Sequence, residues 1–334
     1  MEFALAGIRD IATRAGASIA TVSRVINGSG YVSPSMRARI ETVITEMQFR
    51  PNAGAASMRR GKSRMVGVLL PALDVKFFGI LAHVIEQALF ARGYHAFICC
   101  SSESPDREAE YIAAMLAQRV DGVIIASVTS DTVTAARLTA AGVPIVAVDR
   151  AIAGAVTVKA DHYAGGRLMA GHLLGLGHRS IAVTGAPEHS TPVTERLAGV
   201  RDALAAAGLE PVAVRLGDEH GFEACRDLAA GMLDDGVEAD AVIGLTDLAA
   251  IGAIHALHER GVAVPQDVSV IGFDDMPMAR YVIPQLTTVA QPIREIGALA
   301  VEQIVRLMTG EPLSEEQPPA LSVIERGTTA RRPA

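Results

Sequence analysis

Apolar residues recur at helical spacing through the first fifty positions: Ile8, Ile11, Ala12 and Ala15, then Val22, Val25 and Ile26, then Ile40, Val43, Ile44 and Met47. The spacing predicts three short helices. Gly16-Ala17-Ser18 separates the first two, with Ser18 placed to cap the second, and Ser33-Pro34 reads as N-cap and first helical position of the third. Arg50-Pro51-Asn52 stops the third helix, and the small, basic stretch AGAASMRRGKSR at 53–64 reads as a linker. After Met65 the pattern changes to short β-branched apolar runs alternating with longer helical segments, the signature of a parallel sheet with crossover helices. Strands are expected at 66–70, 95–99, 122–126, 145–148, 180–183, 212–215, 241–243 and 268–271. They predict two open sheets, each with helices on both faces and ligand-binding loops at the carboxyl ends of the strands. The expected fold class is an all-α helix-turn-helix headpiece followed by an α/β two-lobed core, each lobe a doubly wound, mostly parallel sheet.

Length and composition agree with that division. A chain of 334 residues, half of them apolar and 20 % charged, is long enough for two or three compact units and lacks the bias of a disordered chain. The longest apolar stretches, 65–73 and 142–148, are far shorter than the roughly 20 residues that span a bilayer. The opening MEFALAGIRD has no basic segment followed by an apolar run, so no export signal is read there and a cytoplasmic, nucleoid-associated protein without a membrane partner is expected. Cys99, Cys100 and Cys225 form no CxxC pair and are read as reduced thiols. Charge is divided unevenly. Residues 1–64 hold ten Lys/Arg against four Asp/Glu, a net +6, so within a total of −7 the remainder carries −13. A compact positive segment is the footprint of a polyanion binder, and a negative body confines that contact to one end.

The segment IRDIATRAGASIATVSRVIN, 8–27, carries the sharpest chemistry. A helix-turn-helix needs a small residue where the helices meet, a short turn, and a second helix whose early residues are free to reach base edges. Val22, Val25 and Ile26 point inward on the second helix, which leaves Ile19, Ala20, Thr21, Ser23 and Arg24 outside. Arg24 suits paired hydrogen bonds to guanine O6 and N7, Ile19 and Ala20 suit a thymine methyl, and Thr21 or Ser23 suits a phosphate. Asn27 at the end of that helix and Asn52 beyond the third complete the expected DNA-contact set in this part of the chain. A plain helical hairpin with solvated polar faces is the alternative.

These residues resemble the LacI/GalR family of bacterial repressors. IRDIA, ATVSRVIN, GSGYVS and RPNAGAASMRRGKSRMVGVLLP are similar, in order, to that family's headpiece, linker and first core strand. The likeness continues through RVDG at 119–122, VDR at 148–150, AGG at 164–166, GLGHRSIA at 175–182, RLAGVRDAL at 196–204, VPQDVSVIGFDD at 264–275 and QLTTVAQP at 285–292. It implies a homodimer on double-stranded, pseudo-palindromic operator DNA. It further implies a headpiece at 1–49, a hinge at 50–64 that folds on DNA, and an effector-binding core at 65–334. Met58 stands where the family inserts an apolar wedge, usually Leu, into the minor groove. Gly54 lowers helix propensity there by about 1 kcal/mol relative to Ala.

For the core, the resemblance implies the periplasmic-binding-protein type I fold. The first lobe is expected at about 65–161 and 292–320, the second at about 162–290 and 321–330, with crossovers near Asp161, Ala290 and Leu321. The effector, a monosaccharide or sugar derivative, is expected between them. Aromatic faces would stack on its ring while carboxylates and Arg forks hold its hydroxyls. Phe77, Phe78, Asp149, Arg150, Arg196, Phe222, Thr246, Asp274 and Gln291 fall at the matching positions. Two departures stand out. Thr246-Asp247 replaces the common Asn-Asp, and Val75-Lys76 replaces a common Asn-Pro; Lys76 is read first as a solvated lysine, with a role towards a sugar acid or sugar phosphate as the alternative, and a purine or nucleoside is a further alternative effector. Ile80, Val84, Ile251, Ile254, Tyr281 and Val282 are expected at the dimer face.

Two other classes remain in competition. An α/β enzyme would need a catalytic signature, and GxxxxGK[ST], GxSxG, HExxH and a GxGxxG after the first strand are all missing from the sequence. His255 and His258 lie three apart without a further ligand at metal spacing, so neither a metal nor a cofactor is expected, and no catalytic residue is assigned. Adjacent Asp274 and Asp275 at a strand end point in different directions, which argues against an acid/base pair. A solute-binding protein would share the core but have no use for the basic headpiece.

Overall fold

The computed structural model describes residues 7–49, 62–126, 132–185, 187–218, 221–318 and 320–332. It divides into two compact units, residues 1–63 and 64–334. Asn52 and Met58, with 50–61 of the expected hinge, lie outside the described residues.

The first unit is built from α1 (Ile8–Ala15), α2 (Ile19–Asn27) and α3 (Pro34–Glu46). Each contributes one fully buried side chain, Ile11, Val22 and Ile40, to a small core completed by Ala12, Ala15, Val25 and Val43. Gly16 ends α1 at φ +59°, a left-handed conformation that glycine adopts without strain. The resulting tight turn delivers Ser18, whose Oγ accepts from the Thr21 N–H at 3.1 Å and caps α2. Ser33 takes the N-cap position of α3 without a side-chain hydrogen bond, so Pro34 alone marks that start.

The second unit alternates strand and helix: β1 (Met65–Leu70), α4 (Lys76–Ala91), β2 (His95–Cys100), α5 (Pro105–Ala117), β3 (Gly122–Ile125), α6 (Thr132–Ala140), β4 (Ile145–Val148), β5 (Val156–Val158) and α7 (His162–Gly175). It continues with β6 (Ile181–Gly185), α8 (Thr191–Ala206), β7 (Ala213–Leu216), α9 (Phe222–Asp234), β8 (Ala241–Gly244), α10 (Asp247–Glu259), β9 (Ser269–Asp274), β10 (Thr287–Ala290), α11 (Ile293–Thr309) and β11 (Ser322–Ile324). One sheet runs β2-β1-β3-β4-β5, all parallel. The other runs β11-β10-β9-β8-β6-β7, parallel except where β11 meets β10. Both faces of each sheet are buried. In β1, Val66, Val68 and Leu70 enter the core beneath α4 and α11, and Leu69 enters the one beneath α5. All eight expected strands are present. β5, β10 and β11 add three more, each only three or four residues long.

The chain passes between the sheets three times, after β5, after β10 and before β11. α11 follows a strand of the second sheet yet buries Ile293, Ile296 and Ile304 against the first, and Leu321 packs on both cores. Within the second lobe, α7 and α8 cross at two glycines. A Cβ on Gly166 would lie 1.9 Å from the Arg196 carbonyl oxygen, and one on Gly199 would lie 2.0 Å from that of Tyr163. That contact seats the start of α7 against the first turns of α8.

Part of the expected dimer face is corrected. Ile251 and Ile254 are buried in the chain's own core and cannot form an outer surface. Ile80 and Val84 are half-buried, and Tyr281 is 77 % exposed beside Val282 and the 94 % exposed Ile283.

Candidate functional site

On α2, packing of Val22 and Val25 turns Ile19, Ala20, Arg24 and Asn27 outward, with Thr21 and Ser23 half-buried beside them. Ile19 is 46 % exposed and stands outside the small core of this unit. The Arg24 stem passes over Gly30, where a Cβ would lie 3.4 Å from Arg24 Cδ. Three of the expected contacts, Thr21, Ser23 and Asn27, are already engaged within the helix or at its cap. Thr21 Oγ1 shares a 2.8 Å hydrogen bond with Ser18 Oγ, and Asn27 Nδ2 donates to the Ser23 carbonyl at 2.7 Å, so Asn27 closes the end of α2.

In the second unit a cavity of about 390 Å³ opens at the carboxyl ends of both sheets. All nine expected effector-site residues line it: Phe77, Phe78, Asp149, Arg150, Arg196, Phe222, Thr246, Asp274 and Gln291, as does Lys76. This is where open α/β sheets place ligands, because the strand ends there deliver side chains and free backbone groups from several elements. The first sheet supplies Asp149 after β4 and, at the start of α4, the two phenylalanines. The second supplies Asp274 at the end of β9, Gln291 after β10, and Arg196 on α8. Asp149 and Asp274, which line the cavity, stand at φ +69° and +113°, and Asp275 beside them at +52°, left-handed backbone that an aspartate adopts only with strain.

The polar groups form one chain across the floor. Gln291 Nε2 donates to Asp274 Oδ1 at 2.9 Å, and Arg196 Nη2 donates to the same oxygen at 3.3 Å. Arg196 also donates to the Leu245 carbonyl at 2.7 Å and lies with its guanidinium carbon 3.7 Å above the centre of the Phe273 ring. Its Nε and Nη2 reach His162 Nδ1 at 3.4 and 3.3 Å, and His162 Nε2 lies 3.0 Å from Asp149 Oδ1. Burial alone would raise the Asp149 carboxyl, but the hydrogen bond from the His162 ring and the guanidiniums of Arg196 and Arg150 oppose it. Burial wins at Asp274, whose carboxyl is raised, with the charge of Asp149 adding to the effect. Asp275 turns away to Arg326 and Arg280.

Several details refine the expected site. Phe77 and Phe78 meet edge to face, 5.0 Å apart at 83°, and Phe77 is buried in the core, so the two cannot both lay a face on one ring. Phe222 packs its ring against His255, 5.0 Å away. Thr246 Oγ1 caps α10 by accepting from the Ala249 N–H at 3.1 Å, which leaves its hydroxyl hydrogen to donate elsewhere. Arg150 Nη2 donates to Ser190 Oγ at 2.9 Å, bridging the lobes. Among the described residues, Gln291 Oε1 is buried with no hydrogen-bond partner. His162 was not singled out by sequence reasoning. Its partners lie 13 and 34 positions away, and a lone histidine at a helix start carries no spacing signal.

Comparison with known proteins gives this arrangement its context. The profile of bacterial regulatory proteins of the lacI family matches residues 7–52, and that of a periplasmic binding protein-like domain matches residues 170–329. A ribose operon repressor of Halalkalibacterium halodurans is 32 % identical over 92 % of this chain and 91 % of its own. The transcriptional regulator DegA of Bacillus subtilis is 35 % identical over 87 % and 88 %. Among solved structures, the lac repressor dimer bound to operator and the anti-inducer ONPF superposes with a TM-score of 0.87 at 29 % identity, covering 97 % of this chain and 99 % of that one. A regulator from Enterococcus faecium with bound ribose gives 0.73 at 29 % identity over 80 % and 100 %. With relatives matched at this identity over nearly its whole length, the chain belongs to the lacI family of bacterial regulatory proteins.

Proposed function

We propose that this protein is a transcriptional repressor that binds a pseudo-palindromic operator as a homodimer and is controlled by a small neutral sugar held between the lobes of its core. The reading divides the chain into a DNA reader at 1–49, a hinge at 50–64 and a sensor at 65–334. The observation that carries it is the joint presence of a helix-turn-helix whose second helix exposes Ile19, Ala20 and Arg24, and a cavity lined from both sheets. Arg24 reads a base, Ile19 and Ala20 contact a thymine methyl, and Thr21 and Ser23 hold phosphate. Asn27, Asn52 and Met58 complete the contacts, Met58 as the minor-groove wedge.

A neutral polyol is supported by the acceptors the cavity offers. Asp149 and Asp274, which line the cavity, accept in the floor network through Oδ1, so Oδ2 of each can meet a hydroxyl, and among the described residues the buried Gln291 Oε1 has no donor. Relatives named for the ribose operon and a neighbour with bound ribose favour a pentose as the first compound to test. A sugar acid has Lys76 in its favour, but Arg150 already donates to Ser190. The protein acts in the cytoplasm, on chromosomal DNA. No catalytic step is assigned, and the two carboxyls of the cavity floor, Asp149 and Asp274, are bound to His162, Arg196 and Gln291.

Effector binding shifts the balance between lobe arrangements, and the paired headpieces then meet the operator more or less readily. A thermal-shift panel of D-ribose, other neutral sugars, sugar acids and nucleosides against the full chain tests the ligand class. A shift with a neutral sugar alone supports the proposal, and a shift with only an acid or a nucleoside overturns that part of it.

A further inference from the structure

His162 is wholly buried, and it does not line the cavity, yet it lies between two charged groups that do, Asp149 and Arg196. It begins α7, immediately after the chain first crosses between the sheets, and Asp161 before it caps that helix by accepting from the Ala164 N–H. Its two ring nitrogens face opposite lobes. On one side is Asp149, held at the end of β4 with its own N–H donating to the Val158 carbonyl of β5. On the other is Arg196 of α8, brought close by the glycine crossing of α7 and α8.

The chemistry of these neighbours leaves one assignment. A guanidinium has only donors, so the nitrogen facing Arg196 must be a bare acceptor, and the nitrogen facing Asp149 must then carry the proton. We infer that His162 is a positioning residue for the ligand cavity: a neutral imidazole, protonated at Nε2 only, that donates to Asp149 of the first lobe, accepts from Arg196 of the second, and thereby fixes the orientation of both. The consequence is geometric. An imidazole is a rigid spacer between its two nitrogens, so Asp149 and Arg196 keep a set separation and direction only while both bonds are made. Phe273 supports the ring from one side, 6.1 Å between centroids, and takes the Arg196 guanidinium on its face. Asp274 and Gln291 then extend the chain to the far wall. Polar groups in such a buried chain depend on one another, because a partner left unpaired in a dry interior carries the full desolvation penalty.

This inference rests on the ligand-sensing reading above, and its test separates the two. In the ligand-free full chain labelled with ¹⁵N-histidine, long-range proton–nitrogen correlation reports the tautomer of each ring. One histidine, assigned by its disappearance in His162→Gln, is expected to show a protonated Nε2 and a bare Nδ1. Asp149→Asn is expected to displace its Nε2 resonance and Arg196→Lys its Nδ1 resonance. An imidazolium, an Nδ1-protonated ring, or indifference to both substitutions overturns the assignment whatever the ligand is. The second arm titrates D-ribose into the full chain. His162→Phe, which keeps a ring on Phe273 but removes both bonds, is expected to weaken binding at least tenfold. His162→Gln, which returns an amide donor towards Asp149, is expected to recover most of that loss. Equal losses in the two variants, or none in either, overturn the positioning role. If the unsubstituted chain takes no D-ribose, the pentose reading fails while the spectroscopic arm still decides the inference.

Discussion

Asp247 and Arg24 represent the two kinds of residue on which the account depends, one buried against its chemistry and one exposed against its packing. Asp247 opens α10 and accepts from the Met276 N–H at 2.6 Å and Thr288 Oγ1 at 2.5 Å. Burial raises its carboxyl well above the ordinary value, and the charge of Asp274 adds to the effect. A carboxyl raised on folding contributes stability that is complete below its unfolded pKa, about 3.9, and is lost as pH rises through the folded value. Asp247→Asn keeps an acceptor for Met276 and can turn its amide towards Thr288 Oγ1. Calorimetric melting is therefore expected to show a smaller fall in Tm from about pH 4 to about pH 8 in the variant than in the parent. A steeper fall would contradict this account of the site. Arg24→Ala is expected to cost about 1–3 kcal/mol in operator binding and to flatten preference at one base position. A loss uniform across all sequences, measured on a panel of single-base variants, would mark it as a phosphate contact instead. The nine cavity residues were legible because strand ends and family motifs mark their places. His162 and the edge-to-face setting of Phe77 on Phe78 were not, since each depends on which way a side chain turns after folding.

At the scale of elements, the crossing of α7 and α8 organises the site. Gly166 and Gly199 let the two backbones touch, and this contact brings Arg196 within reach of His162. A methyl at Gly166 meets the Arg196 carbonyl and can be accommodated only by separating the helices. Gly166→Ala is expected to lower global stability by at least the ~1–3 kcal/mol typical of overpacking. It should also weaken ligand binding more than a distant substitution of equal destabilisation does. Unchanged chemical denaturation of the variant would mean that the helices are not locked there. Period and turn chemistry made the helices and eight of the strands readable, most of them as apolar runs between turn signals. β5 and β11 escaped because three residues cannot establish a period, β10 because its run TTVA opens on two polar threonines, and the pairing of β11 with β10 is set by the last crossing rather than by local sequence. Ile251 and Ile254 were misread as an outer face because α10 is apolar on nearly every side, and periodicity does not say which side meets solvent.

At the scale of the molecule, the chain joins a segment, residues 1–64, of net +6 to a remainder of net −13, the first suited to a polyanion and the second with its polar groups converging on a cavity between two sheets. Binding at the two sites must be linked if the protein is a ligand-controlled regulator, and linkage is reciprocal: whatever factor the ligand applies to DNA affinity, DNA applies to ligand affinity. Among the described residues no helix is long and apolar enough to cross a membrane. The most direct measurement selects a duplex from a random pool with the full chain and then records the dissociation constant for that duplex by fluorescence anisotropy, with and without the sugar identified by thermal shift. The account predicts selection of a pseudo-palindrome and a change in its affinity of roughly 5- to 150-fold at saturating sugar. Failure to select any duplex over random DNA, or an affinity indifferent to the sugar, would contradict it.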